Sequence, residues 1–280
     1  MSELRTAPGP RSELVTRALA GAAMLAVAIV AIVLGGVLFW LLAVVAVLLM
    51  MAEWSALHGA GPRETRIAQF TLFVPLVLMA PVSIIGESRP FFVLGLLAAA
   101  AFFVVIVTGR RGLALGVLYC GLPVLALTLL RRQHAPDAGD TFWGLIWTLW
   151  TLALVWATDI GAYFAGRAIG GPKLAPRWSP SKTWAGLVGG VALASLVGAG
   201  FHAWYGLPLR LTLATPALAV LAQAGDLYES ALKRRAGVKD SGNLLPGHGG
   251  VMDRLDGVVP VAPAAAFLAL VVPLLYRFQS

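Results

Sequence analysis

Residues 18–52 read ALAGAAMLAVAIVAIVLGGVLFWLLAVVAVLLMMA, a run of 35 residues without one charged side chain. A single helix of that length would extend ~52 Å, well beyond a hydrocarbon core of about 30 Å. Two membrane helices that turn near Gly35 and Gly36 fit the run better. Because the run also lacks a small-residue cleavage pattern, we expect a helical hairpin rather than a cleaved signal peptide.

The rest of the chain has the composition of a membrane protein. Of its 280 residues, 59% are hydrophobic and 12% are charged, about half the charged share of a soluble domain. Apolar stretches of near spanning length occur at 67–86, 91–108, 113–130, 141–165, 185–204, 211–229 and 257–276. We therefore expect an all-α, polytopic integral membrane protein with about nine transmembrane helices.

The distribution of basic residues predicts the orientation of the chain. With the N-terminus in the cytoplasm, 16 of the 21 Lys and Arg residues fall on the cytoplasmic side and five on the other. The positive-inside rule favours this arrangement. It places two long polar stretches, 166–184 and 230–256, at the cytoplasmic face.

The net charge of +8 does not indicate a nucleic-acid partner. The basic residues are split among short loops, and no recognisable nucleic-acid reading module is present. We divide the chain into N-terminal transmembrane helices, 1–140, and a C-terminal transmembrane catalytic region, 141–280. The first region offers little chemistry, and its polar residues at 53–64 read as a solvated connection.

Asp159 is the first charged residue placed where charge is costly, near the end of the span 141–165. A carboxylate at mid-bilayer costs about 2.5–3.5 kcal/mol and less near the edge, so Asp159 should face protein or a wet cavity. Tyr163 and Arg167 follow at four-residue steps and should share its helical face. A plainer alternative is an Asp–Arg pair that closes the helix end.

The stretch after this helix, GRAIGGPKLAPRWSPSKTWAG at 166–186, combines lysines, hydroxyls and flexible backbone. These groups can hold phosphates, although topology alone also produces short basic loops. The next span carries Gln223, Asp226, Ser230 and Lys233 at steps of three, four and three residues. A continuous helix would align them as one polar stripe, which we expect to line a cavity.

The last polar stretch is SALKRRAGVKDSGNLLPGHGGVMDRLDG at 230–257. Asp253 and Asp256 are three residues apart and would share one face of a helix. Such carboxylates suit Mg²⁺, and the surrounding lysines and arginines suit phosphates, so the stretch indicates phosphoryl or nucleotidyl transfer. The plainer alternatives are positive-inside charge, a turn at His248 and neutralisation of Arg254 by the aspartates.

Fixed positions over the 27 residues 230–256 resemble the signature of the phosphatidate cytidylyltransferases, also called CDP-diacylglycerol synthases. The matching positions are Ser230, Leu232, Lys233, Arg234, Lys239, Asp240, Gly242, Leu245, Pro246, His248, Gly249, Gly250, Asp253, Arg254, Leu255 and Asp256. The segments QAGDLYES and DIGAYFAGRAIGGPKLAPRWSPSKTWAG also resemble family segments. The resemblance covers about the C-terminal half of the chain.

The resemblance implies transfer of CMP from CTP to phosphatidate, which gives CDP-diacylglycerol and pyrophosphate. It implies Mg²⁺ as cofactor, with Asp226, Asp253 and Asp256 as metal ligands and Asp159 as a candidate for a second cation. The catalytic residues would be these three aspartates with Lys239 and Arg254. Expected substrate contacts are Lys173, Ser179, Lys182, Thr183, Ser230, Lys233, Arg234, His248, Gly249 and Gly250. The partners would be CTP, phosphatidate in a bacterial-type inner membrane, and a second copy of the chain in a homodimer.

Two other functions could use residues of these types. A CDP-alcohol phosphatidyltransferase also uses carboxylates and metal, but its D-G-x-x-A-R core is absent. An ion or metabolite transporter could bind its cargo at Asp159 and Asp226, but two phosphate-binding loops and the lack of a detected internal repeat argue against it.

Overall fold

The computed structural model describes residues 10–81, 84, 90–133, 142–242 and 249–273. Its main helices are α1 Pro10–Leu34, α2 Gly36–Leu57, α3 Pro62–Val77, α4 Pro90–Thr108, α5 Arg111–Arg131, α6 Phe142–Ala168, α7 Trp184–Tyr205 and α8 Leu209–Arg235. The one-turn helix α9, Met252–Leu255, leads into α10, Val258–Ala266, which continues as a π-helical turn over Phe267–Val271.

The expected all-α membrane class fits this structure, with one addition. Strands β1, Lys173–Ala175, and β2, Ser179–Thr183, form a two-stranded antiparallel sheet between α6 and α7. Lys173 pairs with Thr183, and Ala175 pairs with Ser179. The polar stretch that we expected to be a flexible loop is therefore an ordered hairpin.

Each predicted span overlaps a helix, and five helices in the described part of the chain are long and apolar enough to cross a membrane. They are α2, α4, α5, α6 and α7. The shorter apolar helices Gly21–Leu34 and Val258–Val271 add to this membrane character. The chain is thus an integral membrane protein, whereas the number nine for its spans stays a prediction.

Helix α3 ends earlier than the predicted span 67–86. Pro81 disfavours helical backbone in the residue before it. The carbonyl oxygens of Met79 and Ala80 accept hydrogen bonds from Arg132 Nη2, each at 2.5 Å. An arginine thus binds carbonyls that a continuing helix would have paired internally.

The predicted turn between the first two helices is confirmed at Gly35 and Gly36, which have φ of 65° and 54°. Arg131, only 8% exposed, donates to the carbonyl oxygens of Ile32 and Val33 at 2.9 Å each. A Cβ at Gly35 would lie 2.6 Å from Arg131 Nη2, so glycine also leaves room for the arginine.

Small residues allow α6 and α7 to approach closely. A Cβ on Gly161 would lie 2.5 Å from the Gly189 carbonyl oxygen, and one on Gly190 would lie 2.6 Å from the Thr158 carbonyl oxygen. Interfaces of this kind are common between membrane helices because they bring the backbones together. Helices α6, α7 and α8 pack against one another and place the β-hairpin beside the C-terminal half of α8.

Candidate active site

The predicted polar stripe lies on one helix, since α8 continues without interruption from Leu209 to Arg235. Asp226 forms an ion pair with Lys182 of β2. Lys182 Nζ donates to Gln223 Oε1 at 3.1 Å, and Gln223 Nε2 donates to Asp159 Oδ1 at 3.2 Å. Three separate elements, α6, β2 and α8, therefore meet at one polar cluster.

This cluster lines a cavity of about 420 Å³. Its polar lining comprises Asp159, Tyr163, Arg167, Ser181, Lys182, Thr183, Gln223 and Asp226. The prediction that Asp159 and the polar stripe face a cavity is thus confirmed for Asp159, Gln223 and Asp226, whereas Ser230 and Lys233 do not line this cavity. Arg167 Nη1 donates to the Tyr163 hydroxyl at 2.8 Å, whereas Asp159 is bound by Gln223, so the plainer Asp–Arg pair is not what organises this helix end.

Asp256 lies at the junction of α9 and α10, against α8. A Cβ on Gly225 would lie 2.5 Å from the Asp256 carbonyl oxygen, which shows how closely the two segments approach. Burial and the nearby Asp226 carboxylate raise the pKa of Asp256 to about 7, against a hydrogen bond of 2.7 Å from the Gly257 N–H. The negative charge of Asp226 thus disfavours ionisation of Asp256, and a cation bound near Asp256 would favour it.

Among the described residues, no group of three or more His, Cys, Asp or Glu side chains is arranged to hold a metal ion. The carboxylates of Asp226 and Asp256 nevertheless suit Mg²⁺. This ion is commonly bound through one or two carboxylates, with water and substrate phosphates as the remaining ligands. The donor set therefore fits a cation that binds together with a phosphorylated substrate.

Asp253 has a different set of partners. Its carboxylate accepts from Lys233 Nζ at 2.6 Å, from the Gly250 N–H at 2.8 Å, and from the Ser241 N–H and hydroxyl at 2.9 and 3.0 Å. Burial raises the pKa of Asp253, but these hydrogen bonds outweigh it and hold the pKa well below its usual range. The structure therefore shows Asp253 as an ionised carboxylate that holds the segment around it, and its metal-binding role stays a prediction.

Glu53 is a residue that sequence reasoning missed. It lies in α2, is 4% exposed, and accepts from the Val251 and Met252 N–H groups at 2.8 Å each and from the Ser241 hydroxyl at 2.9 Å. The expectation of a solvated connection is wrong for this residue. A signal was available, because Glu53 directly follows an uncharged run, where a charged side chain has to face protein or water.

Glu229 was missed as well. It is fully buried in α8, and its Oε1 lies 3.2 Å from Lys233 Nζ without the geometry of a hydrogen bond. Lys233 thus lies between two acidic side chains, Glu229 and Asp253. Its expected contact with substrate stays a prediction, while the observed contacts are with the protein.

The glycines of the last polar stretch make room for carboxylates. Gly249 has φ of 76°, a left-handed conformation that glycine adopts without steric cost. A Cβ there would lie 2.8 Å from Asp253 Oδ2, and one on Gly250 would lie 2.5 Å from Glu53 Oε2. The expected contact of Gly249 and Gly250 with substrate stays a prediction, while the close approaches that the structure shows are to protein carboxylates.

The remaining predicted residues lie on the hairpin and along α8. Lys173 is exposed on β1, and Ser179 begins β2. Thr183 is buried and caps α7, because its Oγ1 accepts from the Gly186 N–H at 3.1 Å. The Ser230 hydroxyl donates to Asp226 Oδ1 at 3.3 Å.

Two predicted basic residues are exposed beyond these contacts. Arg234 donates to the Val238 carbonyl oxygen at 3.4 Å, and Lys239 lies near the predicted metal-binding segment in sequence. His248 lies outside the described residues.

Arg254 borders a second cavity, of about 480 Å³, whose other lining is almost entirely apolar. This cavity lies among α1, α2, α5, α6 and α10. Arg254 follows Asp253 directly, so the segment that carries the predicted metal ligands also borders an apolar space between membrane helices.

The fold and these two cavities define an integral membrane protein that carries one polar cavity lined by charged side chains and one largely apolar cavity. The sequence comparison specifies it further: the model of the cytidylyltransferase family matches residues 15–272. The chain belongs to the cytidylyltransferase family. The match includes the N-terminal helices, beyond the C-terminal half that carried the resemblance.

Individual relatives are bacterial proteins named phosphatidate cytidylyltransferase. The one from Brucella suis biovar 1 (strain 1330) is 40% identical over 239 residues, which cover 81% of this chain and 83% of the relative. The one from Bacillus subtilis (strain 168) is 46% identical over 129 residues, 45% of this chain and 48% of the relative. The one from Haemophilus influenzae (strain ATCC 51907 / DSM 11121 / KW20 / Rd) is 43% identical over 160 residues, 51% of each chain.

Proposed function

We propose that this protein transfers CMP from CTP to phosphatidate, which yields CDP-diacylglycerol and pyrophosphate. The observation that best supports this proposal is the polar cavity, where the side chains of three elements meet. These side chains are Lys182, Gln223, Asp226 and Asp159. The family membership and the relatives' names supply the reaction. The apolar cavity bordered by Arg254 offers a place for acyl chains near a cation that can bind the phosphate.

In this reaction a phosphate oxygen of phosphatidate attacks the α-phosphorus of CTP, and pyrophosphate leaves. Both reactants are anions, so the main task of the site is to position them and to offset their charge. Lys182 would bind phosphate oxygens in the polar cavity, and Arg254 would bind the lipid phosphate beside the apolar one. The phosphatidate oxygen is already ionised at neutral pH, so the reaction has no need of a strong general base.

We assign Mg²⁺ binding to Asp226 and Asp256, with Asp159 as the candidate for a second cation. When bound, Mg²⁺ supplies charge stabilisation to the phosphates. Asp253 belonged to the predicted ligand set, but Lys233, Ser241 and Gly250 already donate to its oxygens. Asp226 also has protein partners, Lys182 and Ser230, and Asp256 accepts from the Gly257 N–H, but each has fewer such contacts than the four at Asp253 among the described residues, so these two are the better supported pair.

We further propose nine spans with the N-terminus and the polar segments in the cytoplasm of a bacterial-type inner membrane. The excess of basic residues on that side and the bacterial origin of the relatives support this placement. It would let soluble CTP and the lipid headgroup meet at one surface. The homodimer implied by the family resemblance stays a prediction.

One assay tests the reaction against its alternatives. Purified protein in detergent micelles is given phosphatidate, CTP labelled at the α-phosphate, and Mg²⁺, and labelled CDP-diacylglycerol is measured. A CDP-alcohol phosphatidyltransferase would instead consume CDP-diacylglycerol with an alcohol, and a transporter would turn over neither substrate. Absence of labelled lipid over a range of lipid and salt conditions would refute the proposal.

A further inference from the structure

Glu53 belongs to the N-terminal helices, yet it binds the segment that carries the predicted metal ligands. Its Oε1 accepts from the Val251 N–H, and its Oε2 accepts from the Met252 N–H and the Ser241 hydroxyl. Because Glu53 is almost completely buried, these contacts are shielded from water. Hydrogen bonds to a charged group in such a place are among the stronger ones in a protein.

A rigid helix holds Glu53 in place. The next residue, Trp54, is 1% exposed, and its Nε1 donates to the Gly112 carbonyl oxygen of α5 at 2.8 Å. The Trp54 ring occupies the space that a Cβ on Gly116 would need, and the His58 ring stacks on it at 4.6 Å between centroids. Helix α2 is thus fixed against α5 at the level of the carboxylate.

Glu53 and Asp253 together bind three consecutive amides. The Gly250 N–H donates to Asp253, while the N–H groups of the next two residues donate to Glu53. The Ser241 hydroxyl lies between the two carboxylates, 2.9 Å from Glu53 and 3.0 Å from Asp253. The turn before α9 is therefore fixed by Asp253 from within the same segment and by Glu53 from a distant part of the chain.

We propose that Glu53 is a positioning residue for the transfer reaction: it fixes the backbone of 250–252 and thereby places Asp253, Arg254 and Asp256. Glu53 does not line the polar cavity, so it acts through the segment that it binds. The proposal rests on the proposed function, because the segment is assigned to metal and phosphate binding there.

Substitution by glutamine tests the proposal with little change in volume. A glutamine has one oxygen acceptor and an NH₂ group that can only donate, so at least one of the three donors would lose its partner. Loss of a group that orients metal ligands typically lowers activity about 10- to 100-fold. We expect a fall in kcat of this size for Glu53→Gln, with a smaller change in the KM for CTP, because Glu53 does not touch substrate.

The experiment compares Glu53→Gln, Ser241→Ala and the control Glu64→Gln. Glu64 lies at the start of α3, where its carboxylate pairs with Arg110 at 2.8 Å and accepts a hydrogen bond from the Gly61 N–H, and neither partner belongs to the 249–256 segment. Rates are expressed per folded molecule, and hydrogen–deuterium exchange of residues 249–256 is measured without substrates or metal. Exchange there should rise in Glu53→Gln, rise less in Ser241→Ala, and stay at the wild-type level in Glu64→Gln.

Wild-type kcat and exchange in Glu53→Gln would overturn the proposal. So would a loss of activity that disappears when rates are expressed per folded molecule, because Glu53 would then contribute to stability alone. If Glu53→Gln does not fold, Ser241→Ala decides the question, and unchanged exchange in that variant refutes the proposal. An inactive wild-type protein would refute the proposed function instead, while the exchange data would still test whether Glu53 holds the segment.

Discussion

Replacement of Lys182 by methionine separates a catalytic role from a structural one. The lysine ammonium pairs with Asp226 and donates to Gln223, while its side chain and that of Asp226 are 17% and 28% exposed. An exposed ion pair contributes about 0–1 kcal/mol, and removal of one partner of a fully buried pair costs about 3–5 kcal/mol, so the cost for this mostly buried pair lies between these values and below the roughly 5–15 kcal/mol that keeps a domain folded. The Lys182→Met protein should therefore fold.

Its activity should fall much further than its stability. Removal of one group that stabilises developing charge in a transition state costs about 2.7–4 kcal/mol, or roughly 10²- to 10³-fold in kcat. The assay is formation of labelled CDP-diacylglycerol, with thermal unfolding in the same detergent as the measure of stability. Arg177→Met is the matched control, because Arg177 is an exposed cation in the connection between β1 and β2 and lies outside the cavity lining. Equal rates in the two variants would show that Lys182 does not stabilise the transition state.

Three further predictions follow from the structure, two for Asp256 and one for Gly250, which lies against the Glu53 carboxylate. Asp256→Asn should lower kcat by about two orders of magnitude or more, because an amide binds Mg²⁺ poorly. A near-wild-type kcat at saturating Mg²⁺ would show that Asp256 is not a metal ligand. In metal-free buffer the same variant should unfold at a higher temperature than wild type at pH 8, with the difference shrinking toward pH 5. The pKa of Asp256 is raised to about 7 in the folded chain, so between about pH 4 and 7 the unfolded chain binds fewer protons than the folded chain. The stability of the wild type therefore falls as pH rises through this range. A difference in Tm between the two proteins that does not depend on pH would contradict this. Gly250→Ala should lower the free energy of unfolding by about 1–3 kcal/mol, because the new Cβ would lie 2.5 Å from Glu53 Oε2. The control is Gly95→Ala in α4, where a Cβ would have no atom within 4 Å. This control should be neutral or mildly stabilising in thermal unfolding.

Much of the fold could be predicted from patterns among neighbouring residues. The uncharged run 18–52 is too long for one span, and its only adjacent glycine pair, Gly35 and Gly36, is where the structure turns. The polar steps on α8 and the costly position of Asp159 also predicted which faces would meet at a cavity. In each case the physical cause is the expense of leaving polar groups in apolar surroundings, which can be read from neighbouring residues.

Contacts between distant segments could not be read in this way. Glu53 binds amides almost 200 residues later in the chain, and no local periodicity in α2 encodes that partner. The same limit applied to the β-hairpin, because its glycines and prolines resemble those of an irregular loop until the pairing of Lys173 with Thr183 is known. The partners of Asp253 were hidden for the same reason. Its spacing from Asp256 suggested that both carboxylates bind one metal ion, whereas its hydrogen-bond donors are Lys233 of α8 and the Gly250 N–H of the preceding turn.

The separate surroundings of Asp253 and Asp256 suggest a division of tasks within one short segment. Asp253 accepts hydrogen bonds from Lys233, Ser241 and Gly250 and is therefore already satisfied by the protein. Burial and the like charge of Asp226 raise the pKa of Asp256, and the Gly257 N–H and the Lys182 ammonium offset this only in part. A cation would relieve that repulsion, whereas at Asp253 it would have to displace existing donors. The segment 250–256 would thus use Asp253 to fix its backbone and Asp256 to bind metal. Glu53 would hold the turn that precedes both aspartates, through the N–H groups of Val251 and Met252.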